Sequence, residues 1–191
     1  MTDPEILRAF VAVIPPEDVL DRLERFVARL RLLALFKWTT RKQWHITLRF
    51  LGEAPKAKVE VFANALEKME MGMREPFNVR LSRAGGFPKS AQSRALWLGG
   101  DGGNEDLTAL AGRVERIAVA SGFPPEMKKY TPHLTLARLR EAAPLPLGLA
   151  EALAEAPTLT WRCEGFFLVK SELTPEGAVY TPLRLYRRAN A

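Results

Sequence analysis

The sequence predicts an α+β fold, and three observations carry that prediction. Strand-like and helix-like segments are mixed without the regular alternation of a doubly wound sheet. A four-residue pattern, His-x-Thr-Leu, occurs at His45-Ile46-Thr47-Leu48 and again at His133-Leu134-Thr135-Leu136, 88 residues on, too long a period for a solenoid. No Ser/Gly linker or composition break divides the chain. Together they predict residues 1–191 as a single domain made of two similar lobes.

The elements run in this order. Leu7 to Ile14 is a short apolar run closed by Pro15-Pro16, which reads as a buried strand. From Glu17 to about Leu33 apolar residues recur at helical spacing, with Glu17 and Asp18 in the first turn, where negative charge favours a helix start. Trp44 to Leu51 alternates: His45, Thr47 and Arg49 on one face, Ile46, Leu48 and Phe50 on the other. Gly52 is expected to end that strand. Val59, Phe62, Leu66 and Met69 mark a second helix. Phe77 to Leu81 and Ala95 to Leu98 read as strands, with Gly85-Gly86-Phe87-Pro88 as turn material between them. Gly99 to Gly103 reads as a loop; it lacks the Lys-Ser/Thr of a phosphate-binding P-loop. Asn104 is placed to cap a third helix that buries Leu107, Leu110, Val114 and Ile117. Tyr130 to Arg138 repeats the earlier strand pattern. A short helix near Leu147 to Leu153 and strands near Cys163 to Ser171 and Tyr180 to Tyr186 complete the order.

Composition narrows the class. The chain has 191 residues, 47% apolar and 26% charged, ordinary globular values that exclude disorder and low complexity. One cysteine, Cys163, excludes a disulfide scaffold, and its apolar strand context favours packing over nucleophilic use. No apolar run approaches the ~18 residues needed to span a bilayer. The start, Met1-Thr2-Asp3-Pro4-Glu5, lacks the basic and apolar parts of a signal peptide, so a cytoplasmic protein is expected. The net charge is +6, and eight basic residues stand between Arg22 and Arg49 against one acid, Glu24. Such a block attracts phosphates, or is a solvated face and a basic loop.

The two His-x-Thr pairs carry the chemistry. His45 and His133 are the only histidines in the chain. On a strand, residues i and i+2 share a face, so each histidine projects beside a threonine. Two imidazoles with ordinary pKa near 6.5 suit proton transfer at neutral pH. One can take a proton from a nucleophile while the other gives one to a leaving group, and the Thr47 and Thr135 hydroxyls can hold phosphoryl oxygens. A zinc site would need further His or Cys ligands near the motifs, and there are none, so no metal and no cofactor is expected. Which histidine is acid and which is base is open at this level.

The motifs with their flanks, His45-Ile46-Thr47-Leu48-Arg49-Phe50-Leu51-Gly52 and Pro132-His133-Leu134-Thr135-Leu136-Ala137-Arg138, resemble those of the 2H phosphoesterase superfamily. The match is nearest to the RNA 2′,3′-cyclic phosphodiesterase (2′-5′ RNA ligase-like) family and extends over about Leu7 to Tyr186, taking in Arg8-Ala9-Phe10-Val11-Ala12-Val13 and Ala95-Leu96-Trp97-Leu98-Gly99. The resemblance implies a bilobal fold with two antiparallel sheets flanking a central cleft and helices outside. It also implies hydrolysis of RNA 2′,3′-cyclic phosphate ends to 2′-phosphomonoesters, with His45 as proton donor and His133 as proton acceptor.

Further substrate-binding candidates are Arg138, Phe36, Tyr130 and Arg94, with Phe87 and Trp44 beside them. By strand alternation Arg138 leans toward the Leu134/Leu136 face, so it reaches the site only if the strand ends or bends there. An aromatic could stack on a terminal base or simply pack. The expected partner is RNA with a 2′,3′-cyclic phosphate end, or a related nucleotide, with no membrane and a monomeric state. The rival readings are a non-catalytic RNA-end binder and the reverse reaction, 2′-5′ joining of RNA ends.

Overall fold

A computed structural model describes residues 5–70, 76–88, 92–100 and 104–187. Asp101-Gly102-Gly103 of the expected glycine-rich loop lie outside the described residues. Ten strands and four helices are formed among those described: β1 Ile6–Val13, α1 Glu17–Arg31, β2 Lys37–Trp38, β3 Ile46–Pro55, α2 Lys56–Glu70, β4 Phe77–Leu81, β5 Arg83–Phe87, β6 Gln92–Gly99, α3 Glu105–Ala120, β7 His133–Pro144, α4 Leu147–Ala154, β8 Leu159–Cys163, β9 Gly165–Thr174 and β10 Gly177–Arg187. The strand pairs are antiparallel.

The main sheet runs β10-β9-β1-β3-β7-β6-β5, with β2 also on β7; β4 and β8 form a second, two-stranded sheet. One contact joins the two halves of the main sheet: β3 meets β7 only at Ile46 and Leu134, the residues that follow the two histidines. The halves are therefore two lobes joined at a seam. Their element order repeats. With the two-residue β2 as an insertion before β3, β1-α1-β3-α2-β4-β5 is followed by β6-α3-β7-α4-β8-β9, and β10 is added at the edge. The last strand of each repeat pairs with the first strand of the other: β5 with β6, and β9 with β1.

The helices sit where their apolar stripes require. α1 buries Val19, Leu20, Leu23, Phe26, Val27 and Leu30, and α3 buries Leu107, Leu110, Ala111, Val114 and Ala118. They pack on the sheet face carrying Val11, Val13, Ile46, Leu96, Leu98 and Leu134, and one continuous core cluster spans both lobes. A smaller cluster, Phe10, Ala12 and Val169, lies on the opposite face.

Several expectations need correction. Gly52 does not end β3. It takes φ +74° at a bulge, where Leu51 is the extra residue against Ala9 and Phe10, and the strand continues to Pro55. Gly85-Gly86-Phe87 is not turn material but part of β5, paired with β6. A side chain at Gly85 would run into the Trp97 indole, so the glycine admits that ring. Asn104 occupies the N-cap position of α3 without capping it. Its amide instead accepts from the Arg80 N–H at 3.1 Å and donates to the Arg80 carbonyl at 2.9 Å, tying α3 to β4. Half of the basic block is ion-paired. Arg29 pairs with Glu155, Arg31 with Glu24, Arg41 with Glu17 and Asp21, and Arg49 with Glu115 and Glu126. Arg22 donates to the Thr158 carbonyl.

Candidate active site

The seam places the two motifs face to face. Ile46 and Leu134 turn into the core, both fully buried. Strand alternation then sends their neighbours to the other side. His45, Thr47, His133 and Thr135 line one cleft of about 140 Å³.

A bulge directly after each motif changes the direction of the next residues. In β3, Thr47 lies opposite Ala12 and Arg49 opposite Val11, so Leu48 is an extra residue. In β7, Thr135 lies opposite Trp97 and Ala137 opposite Leu96, so Leu136 is extra. One extra residue reverses the alternation beyond it. Arg49, expected on the face of His45, turns inward, 7% exposed, with its Nε 2.7 Å from Glu115 and an Nη donating to the Pro124 carbonyl. Phe50 and Arg138, expected on the far face, turn into the cleft. The strand does bend at Arg138, and for this reason.

Both imidazoles are held the same way. Nδ1 of His45 lies 2.7 Å from the Gln43 carbonyl, and Nδ1 of His133 lies 2.8 Å from the Thr131 carbonyl. A carbonyl only accepts, so each Nδ1 carries a proton and each neutral ring keeps Nε2 free as an acceptor. His45 Nε2 meets the Thr47 hydroxyl at 3.1 Å. Burial pushes the His45 pKa down to about 4; the Gln43 carbonyl opposes this, and the charges of His133 and Arg138 add to it. His133 is also lowered, chiefly by burial, against the Thr131 carbonyl and with Arg138. Both rings are thus neutral near pH 7 without an anion between them.

Aromatic rings fix the imidazoles from the sides. Phe10 lies 4.7 Å from the His45 ring, and Tyr180 meets it edge-on at 5.1 Å. Phe87 meets His133 edge-on at 5.0 Å and leans on Trp97. Arg8 also lines the cleft, its guanidinium 4.7 Å from the Phe50 ring centre and bonded to the Ser171 hydroxyl.

Thr39 braces the second bulge. Its hydroxyl reaches the Thr135 and Leu136 carbonyls at 2.9 and 2.8 Å, and its N–H donates to Leu136 at 2.8 Å. The same oxygen accepts from the Trp44 indole at 2.9 Å. Trp44 precedes His45, so one hydroxyl links both motifs. Trp44 is 2% exposed, a core residue rather than a base platform.

The other candidates separate. Tyr130 lines a larger cavity of about 680 Å³ that opens beside His133 and also touches Thr47, Phe50, Phe87 and Lys128. Its hydroxyl is buried without a hydrogen-bond partner, and burial pushes its pKa up. Phe36 packs half-buried against the core beside Trp38 and does not line the cleft. Arg94 is exposed on β6, at the register offset between Ser93 and Ala95, and does not line the cleft either. Cys163 is buried, donates to the Gly165 carbonyl, and has its thiol pKa pushed up to about 11. Among the described residues no three His, Cys, Asp or Glu side chains cluster as metal ligands. Sequence reasoning missed Tyr180, Arg8, Phe50 and Thr39. No periodicity marks them, because bulges and a late edge strand bring them in.

Two antiparallel half-sheets meeting at paired His-x-Thr strands define a two-histidine phosphoesterase architecture. The comparisons with known proteins agree. The 2′-5′ RNA ligase superfamily model matches residues 19–175, and the chain belongs to that family. An RNA 2′,3′-cyclic phosphodiesterase of Thermus thermophilus is 34% identical over 186 residues, 94% of this chain and 89% of that protein. That of Aeropyrum pernix is 32% identical over 152 residues, 78% and 85% of the two chains. The solved structure of TT0787 of Thermus thermophilus superposes with a TM-score of 0.78 at 31% identity, covering 95% of this chain and 97% of that one. E. coli LigT complexed with 3′-AMP shares the fold, with a TM-score of 0.76 at 24% identity over 97% of this chain and all of that one.

Proposed function

We propose that this protein hydrolyses the 2′,3′-cyclic phosphate at RNA ends to a 2′-phosphomonoester, without a metal, by acid–base catalysis between His45 and His133. The observation that carries this reading is the pair of imidazoles locked through Nδ1, each leaving Nε2 available and each lining one cleft beside a threonine. The names of the relatives support the substrate class. The continuous core across both lobes supports the whole chain, 1–191, working as one unit.

The cyclic phosphate sits between the rings. The Thr47 and Thr135 hydroxyls donate to its non-bridging oxygens, and Arg138 supplies positive charge to the same group. His133 Nε2 takes a proton from water as the water oxygen attacks phosphorus. The bond from phosphorus to O3′ breaks, and His45 Nε2–H delivers its proton to that oxygen. The two motifs are nearly equivalent, so this direction rests on the family resemblance. His45 must enter the reaction charged, although its pKa in the free cleft is about 4. The phosphodiester anion reverses that balance, because an opposite charge at contact distance raises an imidazole pKa. Substrate binding thereby arms the acid.

Among the described residues no helix is long and apolar enough to cross a membrane. A cytoplasmic monomer acting on RNA ends is the setting we infer. A second reading is transfer to RNA instead of to water: a 5′-hydroxyl attacks phosphorus, the bond from phosphorus to O3′ breaks, and a 2′-5′ linkage forms. The 680 Å³ cavity beside His133, on the nucleophile's side, has room for a 5′-hydroxyl nucleoside in place of water.

The test is phosphorus NMR of a short RNA ending in a 2′,3′-cyclic phosphate, with EDTA present. A 2′-phosphomonoester is expected. A 3′-phosphate would place the substrate the other way across the motifs. Tight binding without turnover would leave an end-binding module instead.

A further inference from the structure

β2 consists of two residues, Lys37 and Trp38, added to the edge of β7. Trp38 lies opposite Ala137 and Lys37 lies opposite Arg138. Residues directly opposite in an antiparallel pair project to the same side. Trp38 packs against the core, and Ala137 is fully buried. Lys37 therefore shares the side of Arg138, which lines the cleft with both histidines. Lys37 itself does not line the cleft; it stands one strand further out, ~4.8 Å across the sheet.

Like charges set directly opposite each other destabilise a sheet unless something lies between them. Lys37 and Arg138 are both exposed, and neither has a carboxylate within ion-pair distance among the described residues. Within the basic stretch Arg29, Arg31, Arg41 and Arg49 are paired with acids, and Lys37 is the unpaired cation that stands opposite Arg138. Lys37 is also held in place rather than trailing. The Trp38 indole donates to the Ala34 carbonyl at 3.0 Å, and Thr39 is bonded to the β7 bulge.

We propose that Lys37 binds the phosphodiester on the 5′ side of the terminal nucleotide while Arg138 serves the terminal cyclic phosphate. The two cations make a two-phosphate track leading out of the cleft. The subsite rests on the cyclic phosphodiesterase reading above, and it makes an oligonucleotide end a better substrate than a cyclic mononucleotide, which has no second phosphate.

The experiment compares kcat/KM for a 2′,3′-cyclic mononucleotide and for a trinucleotide with the same end, for the parent, Lys37→Ala and Lys37→Arg, across a salt series. The ratio of trinucleotide to mononucleotide efficiency is expected to fall about tenfold in Lys37→Ala and to return in Lys37→Arg. The salt slope for the trinucleotide is expected to lose about 0.7, the value of one single-strand phosphate contact. An unchanged ratio overturns the subsite. An equal loss on both substrates also overturns it, because Lys37 would then act through Arg138 or the local fold. Fluorescence anisotropy of a labelled trinucleotide ending in a 2′-phosphate supplies a readout independent of turnover. If the parent hydrolyses neither substrate, the hydrolytic reading fails, and the effect of Lys37→Ala on that binding still decides the subsite.

Discussion

Thr39→Val is the perturbation that best probes how the site is held. Valine keeps the shape and removes the hydroxyl. The Trp44 indole N–H, buried with its ring, then loses its acceptor, and the Thr135 carbonyl loses the hydroxyl donor. The Leu136 carbonyl keeps the Thr39 N–H at 2.8 Å. A buried polar group left unpaired costs about 1–3 kcal/mol. Two such groups, one deeply buried and one at the cleft wall, give a loss of about 2–4 kcal/mol. With a urea dependence of about 1–3 kcal/mol/M, the unfolding midpoint falls by about 1 M or more. Thr39→Ser, which keeps the oxygen, is expected to recover most of the loss. The bulge sets the direction of Arg138, so kcat in Thr39→Val is expected to fall as well. A midpoint for Thr39→Val equal to the parent's would refute the reasoning, because solvent would then be satisfying both groups.

Three other predictions are independent of that one. Alanine at His45 or His133 is expected to lower kcat by about 10²–10⁴ each, read in the cyclic phosphate assay; parent-like rates in both variants would end the two-histidine mechanism. Stability is expected to drop as pH falls from about 6.5 towards about 4. The fold holds His45 neutral, so the unfolded chain takes up that proton first, and the stability present above 6.5 is lost through this window, on the order of 3 kcal/mol. His133 adds in the same direction, and His45→Gln is expected to flatten the acid limb of a urea-midpoint profile. Arg49→Met is expected to destabilise by about 2 kcal/mol in the same urea assay, short of the ~3–5 kcal/mol for breaking a fully buried pair, because the Glu115 side chain keeps 27% exposure and can rehydrate.

Much of this architecture is legible in the residues. Apolar spacing locates α1, α2, α3 and α4, and the repeated His-x-Thr-Leu announces two related lobes and the four side chains at their centre. The residues just beyond each motif are not legible. Alternation puts Arg49 in the site and Arg138 and Phe50 out of it, and the bulges at Leu48 and Leu136 reverse all three. A bulge depends on the partner strand, which local sequence does not reveal. The same holds for Gly85 and Gly86. In isolation they look like a turn; in the fold they are the low wall that admits Trp97 and Ser93. The basic block misleads for a related reason, because Glu115, Glu126 and Glu155 are remote in sequence and meet the arginines only after folding.

The exchanged strands have a consequence for how this chain is divisible. Each repeat lends its final strand to the sheet of the other, β5 to β6 and β9 to β1. Cut between the repeats, the first piece would keep β5 with no β6 beside it, and β1 would lose β9. Both would show bare edges of the kind that seek another chain. The topology is that of a strand-swapped dimer drawn as a single thread, with the crossing point at the seam where the histidines meet. A half-length relative could close its sheets only by finding a second copy of itself.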